Sequence, residues 1–184
     1  MLIDPDLAGK LAGLIALIAF LPYIRSILQN KTKPNKATWW IWSFVGLILG
    51  SSYYFSGARD TIWVPIAYFL GPLVVALLSL KYGEGGATRF DAVCMVIAAV
   101  SLIGWWFSGS AFLSMMLMFV ADSIGTLPTI AKTWAKPETE DLLAWLLFLL
   151  DSIMNLFAVE SWTVALGTYP IFMLCQSSLM VFLI

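Results

Sequence analysis

The sequence predicts an all-α integral membrane protein: seven transmembrane helices in a 3+1+3 order, with two parallel three-helix-bundle repeats joined by a linker helix. Three observations carry that prediction. Of 184 residues, 61% are apolar and only 11% charged, against roughly 45–50% and about 25% in soluble domains. The apolar residues fall into seven runs separated by polar punctuation. Residues of the first three runs recur in the last three at a nearly constant spacing.

A helix crosses a bilayer with about 20 apolar residues, so the chain has room for these spans and short turns. Any activity therefore sits in the bundle or on its loops. Segments such as Leu142 to Leu150 are apolar on every face, which suits a helix and not the alternating strand of a barrel. The first span, 7–28, follows an acidic start, Met-Leu-Ile-Asp-Pro-Asp, unlike the basic start of a cleavable signal peptide, and is read as a retained helix. It carries Pro22 near its end. The second, 38–57, opens on Trp39, Trp40 and Trp42 and holds Gly46 and Gly50, a small-residue pair that lets helix backbones approach. The third, 61–80, contains Pro65 and Tyr68, and the fourth is 91–108. The fifth, 111–132, has Asp122 at its midpoint and Pro128 late; the sixth, 141–159, has Asp151 at its own midpoint; the seventh is 162–184.

Lysine and arginine are retained on the cytoplasmic side of membrane proteins. Arg25, Lys31, Lys33, Lys36, Lys81, Arg89, Lys132 and Lys136 flank connections on one side, with Lys10 and Arg59 on the other. The N-terminus is therefore expected outside and the C-terminus in the cytoplasm. The basic loop at Lys31 either fixes topology or also attracts anionic lipid. Tryptophans near span ends, among them Trp39, its repeat-equivalent Trp145, Trp42, Trp63, Trp105, Trp106, Trp134 and Trp162, read mainly as headgroup anchors.

Leu21-Pro22-Tyr23-Ile24 and Leu127-Pro128-Thr129-Ile130 lie 106 residues apart, each late in a helix and before a basic loop. The same offset carries Ala37-Thr38-Trp39 onto Leu143-Ala144-Trp145, and after one deletion Pro65 matches Pro170 at an offset of 105. Unit 1 is thus 1–83, the linker helix 84–109 and unit 2 110–184. A three-helix unit ends on the opposite side from its start, so direct fusion would invert the second copy. One extra crossing makes the two units parallel, and such a pair can enclose a central path.

In these features the chain resembles the SWEET and PQ-loop superfamily, which also contains the KDEL receptors and bacterial nicotinamide riboside transporters. The resemblance covers the topology and the late proline of each unit. The family places glutamine after that proline, where this chain has Tyr23 and Thr129. The resemblance implies a multi-pass protein of a bacterial inner membrane, a mid-membrane substrate pocket between the units, and Pro22 and Pro128 as pivots of alternating access. A static kink is the other reading of those prolines.

Charge at mid-membrane is costly and faces a cavity or a partner. Asp122 and Asp151 share one depth, Asn155 lies a turn beyond Asp151 on the same face, and Gln176 is near the middle of the last span. Unit 1 has Ala16, Val45 and Leu49 at the positions of Asp122, Asp151 and Asn155, and draws its polarity from neutral groups such as Ser43, Ser51 and Tyr68. Tyr169 could offer a further hydroxyl. These eight polar residues are the candidate substrate contacts. Two carboxylates at one depth in a low dielectric are costly to ionise together, which suggests proton coupling; interhelical glue is the alternative.

The expected function is a transporter or facilitator of a small polar solute, with a ligand-binding receptor of the same fold as the alternative. The bilayer and a small solute are the expected partners, and homo-oligomerisation is left open. A net charge of −1 without a basic tract argues against nucleic acid. The chain has no histidine and no metal-ligand spacing, so no metal, no cofactor and no enzymatic activity are expected. Retinal would need a lysine in the last span, which has none. Cys94 and Cys175 lie in apolar runs and read as small hydrophobes, not a disulfide.

Overall fold

A computed structural model describes residues 4–55, 63–86, 88–109, 111–159, 162 and 164–184. The described residues form seven α-helices and one short 3-10 turn, so the fold is all-α. α1 spans Pro5–Leu28, α2 Lys36–Phe55, α3 Trp63–Tyr82, α4 Arg89–Phe107, α5 Ala111–Ala135, α6 Leu142–Phe157 and α7 Val164–Leu183. Each lies within a few residues of its expected span.

Local chemistry sets several of these boundaries. Asp4 caps α1 by accepting from the Asp6 amide at 3.0 Å, and Pro5 occupies the first turn, where no donor is needed. Asp141 caps α6 through the Ala144 amide at 2.8 Å. α4 begins with a capping box between Thr88 and Asp91. The approach to it turns through Gly85 and Gly86 at φ 73° and 78°, a left-handed conformation that glycine adopts without strain.

The side chains are distributed inside out relative to a soluble protein. The buried face of α1 consists largely of small residues, Ala8, Ala12, Ala16 and Ala19, while Leu7, Leu14, Leu17 and Leu21 face outward. α4 exposes Val93, Val96, Val100 and Ile103 and buries Cys94, Ala98 and Ser101. Small residues let helices approach closely where dispersion and hydrogen bonds, not exclusion of water, hold them together. Gly46 illustrates the point: a Cβ there would collide with the Tyr68 carbonyl, so α2 lies directly on α3. Among the described residues, Pro5–Leu28 and Arg89–Phe107 are long and apolar enough to cross a membrane, with mean hydropathies of 2.0 and 1.9.

Helix contacts fall into matched sets. α3 packs against α1 and α2, and α7 packs against α5 and α6. Between the triads, α1 packs against α6 and α2 against α5. Exchanging α1 with α5, α2 with α6 and α3 with α7 reproduces every one of these pairings. α4 lies outside the scheme and packs on α5 and α2.

Connections at one end of the bundle are tied together by backbone. The Lys33 amide donates to the Thr139 carbonyl at 2.9 Å, the Lys36 amide to Glu84 at 3.0 Å, and the Glu84 amide to Pro34 at 3.0 Å. This end carries the basic residues Lys31, Lys33, Lys36 and Lys136 and is called the basic end below.

Candidate functional site

Helices from both triads, α1, α2, α3, α5, α6 and α7, line a partly open cavity, and α4 contributes no residue to its lining. The lining follows the sequence repeat. At an offset of 106 residues Trp39 pairs with Trp145, Trp42 with Phe148 and Val45 with Asp151; at 105, Tyr68 pairs with Met173 and Pro72 with Ser177. Both members of all five pairs line the cavity. Equivalent positions thus face each other across a shared space.

Symmetry of position does not extend to chemistry. Asp151 of α6 stands opposite Val45 of α2, and Tyr68 of α3 crosses between the triads to donate its hydroxyl proton to Asp151 Oδ2 at 2.5 Å. Asp122 of α5 also lines the cavity, while its counterpart Ala16 is packed inside the bundle. The Asp122 carboxylate has no hydrogen-bond partner among the described residues; the contact of this residue is its backbone carbonyl, which accepts from Thr126 Oγ1 at 2.9 Å. Gln176 of α7 donates through Nε2 to Thr126 Oγ1 at 2.5 Å, and its Oε1 is buried without a partner. Ser177 is bonded to Ser152 at 3.1 Å. The polar wall therefore belongs chiefly to the second triad, with Tyr68 supplied by the first.

The rest of the lining is aromatic. Phe20 lies against Phe148 with centroids 5.1 Å apart and planes at 73°; Trp39 meets Trp42 at 5.0 Å and 87°; Trp42 meets Trp145 at 6.4 Å and 65°. Such edge-to-face contacts suit the ring quadrupoles. Trp39 and Trp145 are 1% and 3% exposed, so they do not anchor the chain in headgroups as their position near helix ends suggested. Both rings are buried in a cluster of helix side chains, Trp39 against Phe20, Tyr23 and Trp42, and Trp145 against Trp42 and Phe148. Trp106, Trp134 and Trp162 are 74%, 75% and 60% exposed, a placement open to anchoring.

Between this aromatic layer and the basic end lies a buried ionic knot. Glu140 accepts from the Tyr23 hydroxyl at 2.8 Å and from Trp145 Nε1 at 2.9 Å, and it pairs with Lys132. Lys132 also donates to the Lys33 carbonyl at 2.6 Å and the Thr139 carbonyl at 3.4 Å. Tyr23 and Lys33 come from the first half of the chain, Lys132, Glu140 and Trp145 from the second. The knot joins the halves at the basic end. Sequence reasoning counted Lys132 as a loop charge and passed over Glu140. The available signal was the position of Lys132, one turn beyond Pro128 in a helix that continues to Ala135.

Four of the eight candidate contacts, Asp122, Asp151, Gln176 and Tyr68, meet at the cavity. Asn155 is half-buried on α6 one turn beyond Asp151 and outside the lining. Ser43 is buried, but its hydroxyl donates to the Trp39 carbonyl of its own helix at 2.7 Å, and it does not reach the cavity. The side chains of Ser51 and Tyr169 lie outside the described residues. α1 and α5 continue unbroken through Pro22 and Pro128. No family model, curated protein or solved structure matches the chain.

Proposed function

We propose that the chain is a seven-span membrane transporter of a small polar solute, in which two parallel triads rock about the central cavity while α4 serves as the linker between them. The observation that carries this reading is the cavity wall: repeat-equivalent residues from both triads line it, and two carboxylates project into it. A cavity shared between repeats is the geometry from which alternating access arises, because tilting one repeat against the other opens either end in turn. The exterior rich in exposed leucine, valine and isoleucine suits a bilayer as solvent, although only two of the described helices satisfy length and hydropathy on their own.

On this reading the ionic knot and aromatic layer hold the basic end closed. Opening there requires Glu140 to leave Tyr23 or Lys132, while Pro22 and Pro128, each lacking a backbone donor, let α1 and α5 bend. Thermal-shift screening of the purified protein against sugars, amino acids and vitamins, followed by uptake of each stabilising solute into proteoliposomes, tests the proposal. Transport predicts that a bound solute equilibrates across the membrane at a rate dependent on the protein. Saturable binding without equilibration would instead favour a receptor. If a proton accompanies the solute through the carboxylates, replacing Asp122 or Asp151 by Asn flattens the dependence of uptake on pH between about 5 and 8; an unchanged profile would exclude that coupling.

A further inference from the structure

The hydrogen-bonding capacity left over in the cavity is one-sided. Tyr68 has spent its proton on Asp151, Ser177 is bonded to Ser152, and the Gln176 amide donates to Thr126. What remains is the Asp122 carboxylate, the second oxygen of Asp151 and Gln176 Oε1, acceptors when the carboxyls are ionised, with the uncharged indole N–H groups of Trp39 and Trp42 as the unpartnered donors. No lysine or arginine is among the lining residues. The buried cation closest in kind, Lys132, is committed to Glu140 and two carbonyls of the ionic knot.

From this imbalance we infer that the cavity takes a small organic cation, an ammonium or guanidinium group carried on an apolar or aromatic body. The inference rests on the proposed solute-binding role of the cavity and gives that solute a chemical class. Buried carboxylates are stabilised by a partner of opposite charge that also donates hydrogen bonds, and among the described residues lining the cavity none is cationic, the neutral Tyr68 hydroxyl being the donor to Asp151. The cation therefore arrives with the ligand. A divalent metal would need a cage of six or more oxygen ligands, whereas most of this wall is aromatic or aliphatic. A polyol would need donors and acceptors in comparable number around it, and donors are scarce here. The remaining walls, with Trp42, Trp145 and Phe148 at steep angles to one another, suit the cation's apolar body and its charge, since aromatic faces attract cations.

The test uses the purified full-length chain and three probes of matched size: 2-phenylethylammonium, 2-phenylethanol and 3-phenylpropanoate, with D-ribose as the polyol. Binding is followed through the tryptophan fluorescence of the cavity wall. The expected result is saturable binding of the ammonium, at least about tenfold weaker binding of the alcohol, and none of the carboxylate or ribose. Asp122→Asn weakens the ammonium at least about tenfold and leaves the alcohol within about twofold, a difference of about 1.4 kcal/mol or more. Equal binding of ammonium and alcohol, tighter binding of ribose, or no binding of any probe would overturn the assignment. The probe series on the unchanged protein decides it even where the variant does not fold. Proteoliposome flux is a separate readout: an ammonium that binds but does not equilibrate contradicts transport and leaves the cation assignment standing, whereas equilibration of ribose without ammonium binding does the reverse.

Discussion

Asp122 and Asp151 were legible in the sequence because a carboxylate in the middle of an apolar run has few structural uses. The chain could not reveal that one would be bonded to a tyrosine of the other triad and the other left without a partner. Tyr68→Phe separates these situations: it removes the single hydrogen bond to Asp151, worth about 1.5–3 kcal/mol when one partner is charged. It is expected to lower thermal stability and to alter ligand affinity less than Asp122→Asn does. An affinity loss larger than that of Asp122→Asn would place recognition at Asp151 instead. Glu140 was illegible because its loop, Lys-Pro-Glu-Thr-Glu-Asp, reads as solvated polar connection. Only the fold places its side chain beside Tyr23, Trp145 and Lys132. Glu140→Gln leaves the Lys132 ammonium buried without its counter-charge, only the Lys33 and Thr139 carbonyls remaining as its other partners, and should cost about 3 kcal/mol or more. Lys136→Ala, which removes the exposed pair with Glu84, should cost less than about 1 kcal/mol. Equal shifts in melting temperature would mean that the knot does not hold the halves together.

Helix existence was readable from apolar run length, and helix ends from their punctuation: Asp4-Pro5, Thr88 with Asp91, and Asp141 all act as caps. Which face of each helix turns inward was less readable, because the spans are apolar all round and carry little periodic signal. Trp39 and Trp145 show the consequence, since proximity to a span end suggested headgroup contact and packing into the interhelical aromatic cluster reversed it. Gly46 was readable as a packing residue. Gly46→Ala drives a methyl group toward the Tyr68 carbonyl and should destabilise the α2–α3 contact by about 1–3 kcal/mol. It should also weaken ligand binding, because Tyr68 moves with α3. Stability loss with unchanged affinity would detach Tyr68 from the site. Pro22→Ala and Pro128→Ala address a different property of α1 and α5. If bending there accompanies transport, turnover falls while affinity stays within about twofold; unchanged turnover would reduce both prolines to static features.

At the scale of the molecule, the repeat was the most informative signal in the chain. Its offsets, found from a few prolines and tryptophans, align residues that the fold places on opposite walls of one cavity. Transport by rocking requires more than such symmetry: the cavity must be reachable from each side of the membrane, the proposed closure at the basic end being released in turn. The most direct measurement uses Val45→Cys, a cavity position opposite Asp151, in a chain where Cys94 and Cys175 are replaced by alanine. The protein is reconstituted with one orientation in sealed vesicles and treated with a membrane-impermeant maleimide from either side. The account predicts labelling from both sides, slowed on the basic side when a bound ligand or the intact Glu140 knot holds that end closed. Labelling from one side alone, under every ligand condition, would contradict alternating access through this cavity.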